Sequence, residues 1–216
     1  MTTKGVWDLQ DVRDKLLAGD NWDNAQSLYL WGQNEYGALG QNNRTHYSSP
    51  LQISGSWSEL GTTIGNENNA AGVKTDGTLW VWGYNGDNSK LGLNAPGPSH
   101  KSSPTQLPGT TWSDVLQCAN QSIVANKTDG TFWTWGYNQN GQLGLNIEGG
   151  NPGNNSVSSP TQLPGTTWST DVTKWGGSMN TRGTIKTDGT LWTWGATSHG
   201  ESGVNVSNNT GYSSPT

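Results

Sequence analysis

The stretch KTDGTLWVWGYN, residues Lys74–Asn85, returns with small changes as KTDGTFWTWGYN at Lys127–Asn138 and KTDGTLWTWGAT at Lys186–Thr197. Each copy sets Asp-Gly between two strand-like runs, a composition that favours a hairpin with a two-residue type I′ turn at Asp76-Gly77. Along the second strand Trp80 and Trp82 point to one face, and Leu79 and Val81 to the other. A strand that is apolar on both faces must be covered on both, as happens when sheets stack face to face. The tryptophans then cement sheet to sheet. Trp31, Trp80, Trp82, Trp133, Trp135, Trp192 and Trp194 are accordingly expected in the core.

Other markers repeat in step with the hairpin. Trp-Gly pairs stand at Trp31-Gly32, Trp82-Gly83, Trp135-Gly136 and Trp194-Gly195, and Ser-Ser-Pro at Ser48–Pro50, Ser102–Pro104, Ser158–Pro160 and Ser213–Pro215. TQLPGTTW occurs at Thr105–Trp112 and Thr161–Trp168, with LQISGSW at Leu51–Trp57 as its degenerate form. The spacing varies between the Trp-Gly pair and Ser-Ser-Pro, in Asn/Gly-rich text such as NIEGGNPGNNSV, which marks a loop on one face of the repeat. A period in the fifties excludes the shorter repeat classes and suits a propeller or a related array. The fold expected is all-β, with about four β-propeller-type blades in an incomplete or open ring over residues 25–216 and a short N-terminal α-helix within residues 1–24.

DGTLWVWGYNGDNSKLGLN, DGTFWTWGYNQNGQLGLN and LYLWGQNEYGALGQN resemble the regulator-of-chromosome-condensation repeat, whose pattern runs through a Trp-Gly pair, Asn, Gly-x-Leu-Gly and a downstream Pro. The resemblance covers residues 25–216. The last copy departs from it, since GESG at Gly200–Gly203 puts Ser202 where other copies have Leu39, Leu91 and Leu143; the second copy has Ser89-Lys90 in place of Gly-Gln. Both departures predict a looser corner. Founding members of the family form seven-bladed propellers, but four Trp-Gly strands and three complete Asp-Gly hairpins cannot close such a ring. A fragment of a longer protein, an open arc, or a ring completed by other chains remain as readings. The family's best-known activity, guanine-nucleotide exchange on a small GTPase, depends on a wedge inserted in the propeller. No comparable insertion is found, and fold alone does not transfer function.

The N-terminal stretch DLQDVRDKLLAGD is of another kind. Leu9, Val12, Leu16 and Leu17 fall on one helical face, Asp8 can cap the helix and Gly19 can stop it. That helix either plugs the first blade or docks the chain into an assembly through those four residues. TKGVWDLQDVRDK resembles the start of structural proteins from tailed phages of marine and freshwater bacteria, where similar segments precede the same Trp-rich repeats.

Composition removes several function classes. The 216 residues include 31 glycines and 13 tryptophans, with 12% charged residues and a formal net charge of -5. No basic run is present, so nucleic-acid binding is not expected. No apolar run is long enough for a signal peptide or a membrane span, so membrane insertion is not expected either. His46, His100 and His199 lie apart in polar loops, Cys118 is the lone cysteine, and neither a metal nor a cofactor is expected. Asp76, Asp129 and Asp188 repeat with the turn, whereas an active site is needed once. The reading is therefore non-enzymatic: a structural and binding component of a virion, in a tail, baseplate or fibre attachment, whose partners are other virion proteins or further copies of itself. The alternative is a lectin-like propeller that binds a host surface glycan through Trp57, Trp112, Trp168 and Trp175. A guanine-nucleotide-exchange regulator ranks third.

Overall fold

The computed structural model describes residues 26–61, 69–86, 89–95, 99–118, 122–147, 156–178, 180–205 and 211–216. The helix expected near the N-terminus, with Leu9, Val12, Leu16 and Leu17, lies outside them. The described chain is built of antiparallel strands, with one 3-10 turn at Val172–Lys174. None of its helices is long and apolar enough to cross a membrane.

Five strands make the first sheet, in sequential order: β1 (Gln26–Gly32), β2 (Tyr47–Leu60), β3 (Asn69–Lys74), β4 (Leu79–Gly83) and β5 (Lys101–Gln106). The long β2 serves two blades. Its first half pairs with β1, as in Tyr29↔Gln52, and its second half pairs with β3, as in Trp57↔Lys74. The second sheet is β6 (Trp112–Cys118), β7 (Ser122–Lys127), β8 (Phe132–Gly136) and β9 (Val157–Gln162). The third is β10 (Trp175–Gly177), β11 (Thr181–Ile185) and β12 (Leu191–Gly195), extended by the bridges Trp168↔Lys186 and Gly195↔Tyr212. Meandering four-stranded units, repeated in series, are propeller blades.

The two-faced strand behaves as its pattern demands. Leu79 and Val81 join a cluster with Trp112, Ile123 and Trp135 of the following blade, while Trp82 joins Leu28, Ile53 and Trp57 on the preceding side. At the next junction Phe132 and Val124 meet Trp168 and Trp194. Blades therefore stack through opposite faces of the same strand.

The turn differs from the expected type I′. Gly77 N–H donates to Lys74 O at 2.9 Å, and Lys74 N–H to Thr78 O at 2.9 Å, so the loop holds three residues, Thr75–Gly77. Among them only Gly77 has positive φ, at 76°, which is a type I turn closed by a left-handed glycine. The cause is Asp76: its carboxylate accepts from Thr78 N–H at 3.0 Å and Thr78 O–H at 2.6 Å, fixing the turn two residues ahead. Nor is the last corner looser in its backbone. Gly200 and Gly203 repeat the conformation of Gly37 and Gly40, with φ of 78° and 68° against 85° and 66°.

Candidate functional site

The head of each hairpin carries a ladder that fixes a tryptophan. Thr78, Thr131 and Thr190 hydroxyls donate to Asp76, Asp129 and Asp188 at 2.6 Å each. The same hydroxyls accept from Trp80, Trp133 and Trp192 Nε1 at 2.8, 2.9 and 2.8 Å. These Thr hydroxyl bonds are the main reason the three aspartates stay below the usual carboxylate pKa range.

Over each fixed ring lies the lysine that begins the repeated stretch. Lys74 Nζ sits 3.8 Å from the Trp80 ring centre, Lys127 4.2 Å from Trp133, and Lys186 3.9 Å from Trp192. A second indole closes each sandwich: Trp57 at 5.2 Å, Trp112 at 4.7 Å and Trp168 at 4.6 Å. A cation held over two ring faces is attracted by their quadrupoles while its stem covers apolar surface. Among the described residues no carboxylate reaches ion-pair distance of these three ammonium groups.

Beside the Lys127 and Lys74 sandwiches runs a groove between successive blades. One has a volume of about 530 Å³ and is lined by Leu93, Gln106, Pro108, Lys127, Trp133 and Pro160 among others. The preceding junction repeats it at about 280 Å³ with Gln52, Lys74, Trp80 and Pro104. Each groove offers an indole, an ammonium group, an amide and at least one proline ring. Such a lining can make aromatic, cationic and amide contacts to a ligand.

The expected core tryptophans divide into three groups. Trp82, Trp135 and Trp194 are buried, while Trp80, Trp133 and Trp192 are half-buried and two of them line the grooves. Trp31 corrects the expectation: it is 59% exposed, whereas its counterparts Trp82, Trp135 and Trp194 are buried. Trp57, Trp112 and Trp168, read as glycan contacts, are 2–3% exposed and present no free ring face to a sugar. Trp175 is half-buried, stacked on Phe132 at 4.1 Å. Sequence reasoning missed the lysines and Gln52/Gln106, although Lys heads every copy of the repeat and Gln follows Ser-Ser-Pro three times at the same distance, at Gln52, Gln106 and Gln162.

The histidines serve locally. His46 Nδ1 accepts from Asn34 N–H at 2.8 Å and His100 Nδ1 from Asn85 N–H at 3.1 Å, tying the Trp-Gly corner to the strand that begins at Ser-Ser-Pro. Burial, and then the charge of Arg44, hold the His100 pKa below the usual histidine value. His199 stays in an exposed loop beside Glu201. Among the described residues no group of three or more His, Cys, Asp or Glu is placed to hold a metal ion. Cys118 lies at the end of β6, and its side chain is outside the described set.

Blades, hairpin and Trp-Gly corner together define a repeat protein of the β-propeller class. Residues 27–59 and 129–174 match the family described as the regulator of chromosome condensation (RCC1) repeat. The chain is 27% identical over 123 residues to the mitochondrial RCC1 domain-containing protein RUG3 of Arabidopsis thaliana, covering 54% of this chain and 28% of that protein. It is 32% identical over 123 residues to the E3 ubiquitin-protein ligase HERC2 of Homo sapiens, covering 55% of this chain and 2% of that one. Among solved structures it is similar to Prp20p of Saccharomyces cerevisiae, with a TM-score of 0.66, 18% identity, and coverage of 89% of this chain and 46% of that chain. The chain thus spans less than half the length of each.

Proposed function

We propose that the chain is a non-enzymatic scaffold and binding component, and that its partners are proteins which seat on the grooves between blades. The observation that carries this reading is repetition: the same indole, ammonium and amide line successive junctions, fixed by the same Asp–Thr–Trp ladder. An active site is needed once, whereas a binding lattice gains from each copy. The solved Prp20p structure is described together with binding properties to Gsp1p and histones, which supports protein recognition by this type of fold. The setting we propose is a virion, in a tail, baseplate or fibre attachment, on the strength of the N-terminal stretch TKGVWDLQDVRDK. Purified particles of the encoding phage should contain the chain in their tail fraction. Its confinement to the unassembled soluble fraction would overturn the virion setting.

A second reading has its own observation. The groove beside Trp133 places an indole next to Lys127 and Gln106, which suits an acidic sugar. The glycan contacts would then be Trp80 and Trp133, and not the buried set. Binding on an array of acidic glycans that disappears in Lys127→Ala would favour this reading over the first.

A further inference from the structure

Every junction between blades is fastened by the same pair of backbone ties. In the first, a tryptophan from the later blade donates its Nε1–H to a carbonyl in the Gly-x-Leu-Gly loop of the earlier repeat: Trp82 to Ala38 at 2.8 Å, Trp135 to Lys90 at 3.1 Å, and Trp194 to Gln142 at 3.0 Å. In the second, an asparagine just after that loop donates its backbone N–H to the first serine of the next Ser-Ser-Pro: Asn42 to Ser102 at 2.7 Å, Asn94 to Ser158 at 2.8 Å, and Asn146 to Ser213 at 2.7 Å. Plug and socket are thus both known, three times over.

Among the described residues one plug and one socket have no counterpart. Trp31 stands in β1 where Trp82 stands in β4, and the pairings Tyr29↔Gln52 and Trp80↔Gln106 show the same register. It is 59% exposed, and its neighbour Tyr29 is 46% exposed. At the other end the Gly200–Gly203 loop has the fold of the occupied sockets: Gly200 N–H donates to Thr197 O and Gly203 N–H to Gly200 O, as in the loops at Gly37–Gly40 and Gly141–Gly144. Asn205 even keeps the left-handed backbone, with φ of 56° against 56° at Asn42 and 55° at Asn146. Among the described residues nothing fills this socket. A Cβ at Gly92 or Gly144 would meet the indole Nε1 of Trp135 or Trp194 at 2.6 and 2.8 Å, whereas one at Gly203 meets nothing within 4 Å. Beside it Leu191, the counterpart of buried Leu79 and Phe132, is 67% exposed.

We propose that these two faces bind each other between two copies of this chain, head to tail. Trp31 Nε1 donates to the Glu201 carbonyl of the second copy, Asn205 N–H of that copy donates to Ser48 O, and Leu191 packs under Tyr29 and Trp31. The occupant is argued from continuity: donor, acceptor and apolar patch on each face are those that the internal junctions already join. Such a contact is heterologous, and it either closes a ring or grows a filament. A pair of copies joined through one plug and one socket is the smallest assembly this contact gives. The contact is independent of the proposed function.

The test is the solution mass of the 216-residue chain by sedimentation velocity, with two variants at exposed sites that leave folding intact. The parent should have twice the chain mass at micromolar concentration. Trp31→Ala and Leu191→Asp should each weaken association by at least about thirtyfold, as loss of an interface hot spot does. An equimolar mixture of the two variants should recover a dimer, because one supplies an intact socket and the other an intact plug. A parent that stays monomeric to about 100 µM, which corresponds to a negligible contact, overturns the proposal. So does association that both variants leave unchanged, or a mixture that does not recover, since a contact between like faces gives that result.

Discussion

Trp135 and Trp31 hold the same position in two copies of one repeat, yet one is fully buried and the other 59% exposed. The residue type is constant; the neighbour decides. Trp135→Ala should cost about 3–5 kcal/mol, the range for aromatic-to-alanine changes in a packed core. Trp31→Ala, measured in urea at concentrations where the chain is monomeric, should change stability by no more than about 0.5 kcal/mol. Equal effects would contradict the burial pattern. His100 gives a pH prediction at the same scale. It accepts the Asn85 N–H through Nδ1 against the rings of Tyr36 and Tyr84, and its pKa is lowered by burial first and Arg44 second. A lowered pKa means that the unfolded chain takes up this proton at higher pH than the folded one. The contribution to stability is therefore complete above the unperturbed value of about 6.5 and is lost as pH falls below it. The denaturation midpoint should drop between about pH 7 and 5, and drop less in His100→Asn, whose amide oxygen accepts without titrating.

The element scale separates what the letters carry from what they hide. Hairpin, strand faces and period follow from Asp-Gly, from the alternation in LWVWG and from the recurring Trp-Gly, because all three are side-chain patterns. The turn type was not legible: Asp-Gly fits a two-residue type I′ loop, and only the carboxylate bonds to Thr78 decide for three residues. The junction ties were hidden for another reason. Their acceptors are main-chain carbonyls of Ala38, Lys90 and Gln142, whose side chains differ, so no shared letter marks them. The links between blades add a prediction. Thr111 and Thr167, in the two LPGTTW segments, have φ of 72° and 68°, a region that β-branched residues avoid. Thr111→Asn should stabilise the chain by about 1 kcal/mol, since Asn tolerates that conformation. Thermal unfolding of this single variant is the check; a lower midpoint would mean that the Thr111 side chain is needed where it is.

For the whole molecule the sequence shows how many repeats there are, but not which of their faces are covered, because coverage belongs to neighbours. That difference should be measurable as a gradient. In a stack of repeats, stability is close to a sum of blade and junction contributions, so a blade with two neighbours opens less often than one with a single neighbour. The blade of β6–β9 has both: Ile123 and Trp135 pack toward the preceding blade, Val124 and Phe132 toward the following one. Among the described residues the β1 half-blade has no neighbour over Trp31, and the β10–β12 blade has none over Leu191. In dilute solution, amides of β7 and β8 should exchange most slowly, and those of β1 and β12 faster by at least about tenfold, which corresponds to about 1.4 kcal/mol of local stability. Raising the concentration should slow β1 and β12 together while leaving β7 and β8 unchanged, if the two open faces meet head to tail. Protection that rises at β1 alone would instead mean that like faces pair, and uniform exchange at every concentration would mean that the blades unfold as one unit without regard to their neighbours.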